Sequence, residues 1–100
     1  MTTTIQETDD RFIATLSGEL DTAAAKETEQ ALAPLLDSKG KEILIDCTEL
    51  EYISSSGLRV LLSILKQAKT VGSRVVLKNV NEVIREVLDL TGFITLFELE

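Results

Sequence analysis

The chain has 100 residues, 44% of them hydrophobic, which is enough for a single domain, residues 1–100, with one modest core. Its 17 acidic residues outnumber 10 basic ones and give a formal net charge of −7, which disfavours binding to nucleic acid or to an anionic membrane surface. The absence of histidine removes Ser-His-Asp and Cys-His catalysis and most zinc and iron sites, so we expect neither an enzyme nor a metal centre.

The first predicted elements are two strands and a helix. Residues 3–7 and 11–17 are joined by a polar turn, and the second run alternates apolar and polar residues, as a strand with one buried face does. Gly18-Glu19-Leu20-Asp21 then leads into a helix from Ala23 to about Leu36, with Asp21 or Thr22 as its N-cap. The predicted buried face of this helix consists of Ala24, Thr28, Ala31 and Leu35.

Pro34 conflicts with an uninterrupted helix, because a proline in a helix interior removes one hydrogen bond and clashes with the preceding turn. Either the helix kinks there or Pro34 begins a separate last turn. Residues 38–40 then end the element.

The second half of the chain alternates strands and helices. Residues 42–46 form a short apolar run typical of a buried strand, and the acidic stretch 46–51 after it is predicted to be a solvated loop. A second helix follows three serines and stops at Gly72. One face of this helix is predicted to carry Leu58, Leu61, Leu62 and Leu65.

A strand at residues 74–78 is followed by a third helix, which Asn81 caps and Thr91-Gly92 ends. Its predicted inward face consists of Val83, Ile84, Val87 and Leu88, and a last short strand covers residues 95–98. This alternation predicts an α/β fold: a mixed, mostly parallel sheet of four to five strands packed with α-helices.

The remaining candidate sites have simple structural explanations. All five glycines are isolated, so there is no glycine-rich phosphate loop, and we expect no cofactor. Cys47 is predicted to be a small buried residue, since no histidine or other base stands near it to activate the thiol. A single cysteine forms no internal disulfide, and the N-terminus lacks the basic and apolar segments of a signal peptide, so we expect a cytoplasmic protein with no segment inserted in a membrane.

The junction Ser54-Ser55-Ser56-Gly57 is the strongest candidate for a functional site. One serine is enough to cap a helix, and three hydroxyls followed by glycine predict a flexible, exposed turn at which a phosphate would be accommodated. From the residues alone, a simple N-cap with two further turn serines explains the same pattern.

Four fragments, in the correct order and spacing, together resemble the STAS domain of anti-sigma factor antagonists. They are Gly18-Glu19-Leu20-Asp21, the strand Ile43-Leu44-Ile45-Asp46 followed by Leu50-Glu51-Tyr52-Ile53 as its lead-in loop, Ser55-Ser56-Gly57-Leu58, and Leu88-Asp89-Leu90-Thr91-Gly92-Phe93. The resemblance covers nearly the whole chain.

The resemblance implies a binding protein controlled by phosphorylation and without catalysis of its own. Members of this family bind an anti-sigma factor that is also a serine kinase, and so release the sigma factor; the kinase then modifies a serine that corresponds to Ser55, and a serine phosphatase reverses the step. The implied partner-binding residues are Asp21, Ser54, Ser56, Gly57, Leu58 and Arg59.

Two alternatives stay open at this point. The family usually has aspartate just before the modified serine, whereas this chain has Ser54, so Ser54 and Ser56 are alternative acceptors. Some domains of this fold instead serve as constitutive subunits of transporter-accessory or sensory complexes without a phosphorylation switch.

Overall fold

The computed structural model describes all 100 residues and contains one five-stranded sheet and three α-helices. The strands are β1 (Thr2–Glu7), β2 (Arg11–Leu20), β3 (Glu42–Ile53), β4 (Val75–Lys78) and β5 (Glu98–Leu99). The α-helices are α1 (Thr22–Ala31), α2 (Ser55–Thr70) and α3 (Glu82–Leu90), and two short 3₁₀ helices cover Ala33–Asp37 and Phe93–Thr95.

The strands lie side by side in the order in which they occur along the chain. β1 pairs with β2 antiparallel as a hairpin, and the pairs β2–β3, β3–β4 and β4–β5 are all parallel. Parallel neighbours need a crossover, and each crossover here contains one of the three α-helices. The predicted mixed, mostly parallel α/β architecture is therefore confirmed.

One face of the sheet packs against the helices. The alternating residues Phe12, Ala14 and Leu16 of β2 are buried in a single cluster of 23 residues that includes side chains from all three α-helices. Leu44 of β3 and Val76 of β4, which alternate with the core residues of their strands, are buried but lie outside that cluster. The period-2 pattern of β2 thus identified the core face correctly.

β3 is longer than predicted: the stretch 46–51 and the expected lead-in loop 50–53 are both part of it rather than loops. The extra length is possible because β2 also extends to Leu20, and the two strands stay paired through irregular register shifts as far as the pair Leu20–Ile53. Glu49 and Glu51 are exposed, as predicted, while Leu50 is 1% exposed. The prediction that Glu49 and Glu51 are solvated was correct, but their backbone belongs to the sheet and not to a loop.

Pro34 begins a separate turn, which decides between the two alternatives for α1. The helix ends at Ala31, and Pro34 occupies the first turn of the following 3₁₀ helix, where its missing N–H costs nothing. The inward face predicted for this segment was partly wrong: Ala31 is exposed, Ala24 is only partly buried, and the buried positions are Ala25, Thr28, Leu32 and Leu35.

The C-terminal segment also differs from its prediction. Val83 was expected to face inward but is 53% exposed. Only Ile84 and Leu88 of α3 are buried, so the core covers a smaller part of this helix than its row of apolar residues suggested. Phe93–Thr95 form a 3₁₀ helix, so the last strand begins at Glu98 and not at Thr95.

Candidate functional site

Three α-helices begin at one edge of the sheet, because β2, β3 and β4 all end there. Each start is capped by a side-chain oxygen that accepts a hydrogen bond from a backbone N–H three residues on. Asp21 Oδ1 accepts from Ala24 N at 2.8 Å, Ser54 Oγ from Gly57 N at 3.1 Å, and Asn81 Oδ1 from Ile84 N at 2.8 Å. In open α/β sheets this carboxyl-end edge is the usual place for ligand sites.

Hydrogen bonds tie these helix starts to the strand ends beside them. The Ser54 N–H donates to the carbonyl oxygen of Leu20 at 2.8 Å, which holds the start of α2 against the residue preceding the cap of α1. Asn81 Nδ2 donates to the carbonyl oxygen of Leu50 at 3.0 Å, which holds the start of α3 against β3. The edge is therefore a connected unit, in which Asp21 directly follows the residue whose carbonyl oxygen is bonded to Ser54.

The three serines have different surroundings. Ser54 is 8% exposed, and its hydroxyl is engaged as the N-cap of α2. Ser55 is the first helical residue and is exposed, whereas Ser56 is half-buried. The predicted capping role is confirmed and belongs to Ser54.

Gly57 lies inside the first turn of α2, so the predicted flexible, exposed turn was wrong. Its helical backbone is buried against the end of β2, and a Cβ built there would stand 2.6 Å from Leu20 Cγ and 2.8 Å from the Leu20 carbonyl oxygen. The glycine is required for close approach of two backbones, and the sequence alone suggested flexibility instead.

The seven residues predicted for the site separate into two layers. Asp21, Ser55 and Arg59 are exposed, and Ser56 is half-buried. Ser54, Gly57 and Leu58 are buried; Leu58, at 2% exposed, is part of the hydrophobic core. The buried three therefore anchor the start of α2 to the rest of the domain, and the exposed residues form its surface.

An acidic groove of about 450 Å³ lies at the same edge. Its lining residues come from the N-terminus, the end of β2, the first half of α1 and the end of β3: Met1, Gly18, Glu19, Asp21, Ala23, Ala24, Glu27 and Glu51. Four of them are carboxylates. The sequence motifs contained Glu19 and Asp21 in one fragment and Glu51 in another, whereas Glu27 was missed because only the packing of α1 brings it to the groove.

Two further groups near this edge have shifted pKa values. Hydrogen bonds from the Thr48 hydroxyl, at 2.5 Å, and the Thr48 N–H, at 3.0 Å, lower the pKa of Asp46 and keep it charged. Burial raises the pKa of the Cys47 thiol to about 12, so it is a structural residue and not a nucleophile at neutral pH. The prediction of a small buried cysteine is confirmed.

The structure contains no group of three or more acidic or cysteine side chains arranged to hold a metal ion. None of its helices combines the length and the apolar character that crossing a bilayer requires.

Comparison with known proteins matches this chain to one family. The family model described as the STAS domain matches residues 2–100. BtrV of Bordetella bronchiseptica, provisionally named an anti-sigma factor antagonist, is 36% identical over 97 residues, which are 97% of this chain and 84% of that protein. The anti-sigma-B factor antagonist of Bacillus subtilis is 26% identical over 88 residues, covering 88% of this chain and 80% of that one.

A similar fold is seen in solved structures. A protein of Thermotoga maritima, also provisionally named an anti-sigma factor antagonist, superposes with a TM-score of 0.86 at 25% identity. The superposition covers 97% of this chain and 84% of the Thermotoga chain.

Proposed function

The chain belongs to the STAS domain family, and on that premise we propose that it is an anti-sigma factor antagonist whose binding is switched off by phosphorylation of Ser55. Unmodified, it binds an anti-sigma factor that is also a serine kinase, and so releases a sigma factor. A serine phosphatase restores the binding form. The observation that carries the proposal is that, among three consecutive serines, Ser55 alone is exposed, at the start of a helix.

The burial of the neighbouring serines supports Ser55 as the single acceptor. A kinase has to bring the hydroxyl in line with the γ-phosphate of ATP, which demands an accessible side chain. Ser54 is buried and caps α2, so its modification would first require the helix start to open. Ser56 is half-buried in the first turn. Of the alternatives left open by the sequence, both neighbouring acceptors are therefore disfavoured.

The position of Ser55 also lets the domain stay folded when it is modified. A phosphate at the first helical residue meets the positive end of the helix dipole, which stabilises a nearby anion by about 0.3–1 kcal/mol. No core side chain has to move, because Ser55 is exposed. Phosphorylation is therefore expected to change the surface and not the fold.

The same phosphate is expected to disrupt partner binding through its charge. It adds about −1.5 to −2 charges to an edge that already carries Glu19, Asp21 and Glu51. Two unit charges about 4 Å apart at an effective dielectric of about 20 interact by about 4 kcal/mol. Since about 1.4 kcal/mol corresponds to tenfold in affinity, one unfavourable contact of this size is enough to end binding at cellular concentrations.

The test uses two forms of the protein as matched baits, one unmodified and one with phosphoserine at position 55. From native lysate, the unmodified form should capture a protein of the ATP-dependent kinase class, and the phosphorylated form should not. With the purified partner and ATP, the chain should take up one phosphate, and Ser55→Ala should take up none. Full labelling of Ser55→Ala would show that another serine is the acceptor.

The constitutive-subunit alternative makes the opposite prediction. A subunit of a transporter-accessory or sensory complex would bind its partner equally well with and without phosphate on Ser55. Equal affinity of the two forms, measured by calorimetry, would therefore remove the switch and favour that function. Circular dichroism of both forms checks that any loss of binding is not a loss of folding.

A further inference from the structure

Arg59 stands one helical turn after Ser55 and makes no ion pair. Residues four apart in a helix lie on the same face, with their Cβ atoms about 5–6 Å apart, and both side chains are exposed. The ion pairs of the chain involve only Lys41, which pairs with Glu7, and Arg74, which pairs with Glu42 and Glu98. The guanidinium of Arg59 is therefore available to an anion that arrives at position 55.

We propose that Arg59 is the internal counter-ion of phospho-Ser55, an inference that rests on the proposed modification of that serine. A guanidinium presents two parallel N–H donors to a phosphate, and such charge-assisted pairs are among the stronger hydrogen bonds in proteins. The N–H groups of the first helical turn face the same anion. The phosphate would thus be held between the helix start and Arg59.

The other cations on neighbouring elements do not share a helix with Ser55. Lys78 ends β4, Lys26 is on α1 and Arg85 is on α3. The carboxylates Asp21 and Glu51 act in the opposite direction, since their negative charge raises the pKa of a nearby phosphate. Arg59 is therefore the only cation within one turn of the acceptor on its own helix.

This pairing adds a second component to the switch. In the unmodified chain, Arg59 is free to contact an acidic group of a partner beside Ser55. After phosphorylation, the same guanidinium is bound internally, so the modification adds negative charge and also removes a positive contact. An aspartate at position 55, with one charge and a shorter side chain, would engage Arg59 less, so Ser55→Asp should imitate only part of the effect.

The test is a titration of the phosphate by ³¹P NMR in protein carrying genetically encoded phosphoserine at position 55. The second pKa of a phosphoserine lies near 6, and a paired cation lowers it. We expect this pKa to rise by about half a unit in Arg59→Ala and by less in Arg59→Lys, which keeps the charge but loses the paired donors. Lys26→Ala, which removes an equal charge from the neighbouring helix, should leave it within about 0.1 unit.

An unchanged phosphate pKa in Arg59→Ala would overturn the proposal, and so would an equal rise in Lys26→Ala, because the effect would then come from net charge alone. Neither result depends on a partner. If the phosphorylated parent instead bound the anti-sigma factor as tightly as the unmodified form, the proposed switch would fail while the pairing of Arg59 with the phosphate still stood. Melting curves of all variants exclude unfolding as the cause of any shift.

Discussion

Replacement of Gly57 by alanine tests whether close backbone packing determines the geometry of the candidate site. In an ordinary helix this change is favourable, because alanine is preferred over glycine by about 1 kcal/mol. Here the new Cβ would lie 2.6 Å from Leu20 Cγ, 2.8 Å from the Leu20 carbonyl oxygen and 3.2 Å from Ile53 Cγ1. A leucine side chain can rotate away, but the carbonyl oxygen belongs to the backbone of β2.

The cost follows from what must move. Overpacking a tight site typically costs about 1–3 kcal/mol. The carbonyl oxygen of Leu20 also accepts the Ser54 N–H bond at 2.8 Å, so its displacement would strain a hydrogen bond that contributes about 1 kcal/mol. After subtraction of the gain in helix propensity, Gly57→Ala should lower the free energy of unfolding by about 2 kcal/mol. For a domain of this size that corresponds to a fall in melting temperature of roughly 10 °C.

The measurement is urea unfolding followed by circular dichroism, with Gly72→Ala as the control. Gly72 has a positive φ of 76° and no atom within 4 Å of a built Cβ, so its replacement costs only backbone strain, about 1 kcal/mol. A Gly57→Ala protein as stable as the parent would show that α2 shifts freely away from β2. Close packing at Gly57 would then not be what positions the serines.

Three further outcomes follow from individual side chains. Asp21→Asn keeps a capping oxygen for the Ala24 N–H, so the free energy of unfolding should change by less than about 0.5 kcal/mol. The affinity for the anti-sigma factor, measured by calorimetry, should fall. An unchanged affinity would mean that Asp21 acts only as a helix cap. Because burial raises the pKa of Cys47 from 9.0 to about 12, the folded state favours the thiol, and the stability that this contributes is complete below pH 9 and is lost as the pH rises toward 12. In Cys47→Ala, the free energy of unfolding, measured by urea titration, should therefore fall less steeply between pH 9 and pH 12 than in the parent. Thr28 is 1% exposed, and its hydroxyl has no hydrogen-bond partner. The isosteric Thr28→Val should therefore leave the free energy of unfolding unchanged or raise it. A decrease of more than about 1 kcal/mol would show that the hydroxyl does make a hydrogen bond.

Local signals were reliable wherever a residue acts on its immediate neighbours. The alternation of Phe12, Ala14 and Leu16 identified the buried face of β2. Asn81 marked the start of α3, and the pair Asp21-Thr22 marked the start of α1, where the structure gives the cap to Asp21. Pro34 marked the break after α1, although the sequence left open which form the break takes. Each of these effects operates within one turn or along one strand, which is why the sequence is enough to identify it.

Predictions failed where the decisive neighbour is far away in the chain. Residues 46–51 looked like a loop because they are polar, yet they pair with the extended end of β2. Ala31 and Val83 fit the helical apolar pattern of their segments, but the positions of the packed layers leave both exposed. Tertiary packing selects which part of an apolar stripe is covered, and periodicity alone does not contain that information.

For the candidate site, the sequence by itself determined that three serines precede an apolar helix and that Arg59 follows Ser55 by one turn, since both are matters of spacing. Only the tertiary structure decided which serine is available. The Ser54 N–H bonds to the Leu20 carbonyl and the Ser54 hydroxyl caps the helix, Gly57 packs against the same carbonyl, and Ser55 is left exposed. The reason is physical: exposure depends on contacts between the ends of β2 and β3, which lie more than thirty residues apart in the chain and meet only in the folded sheet.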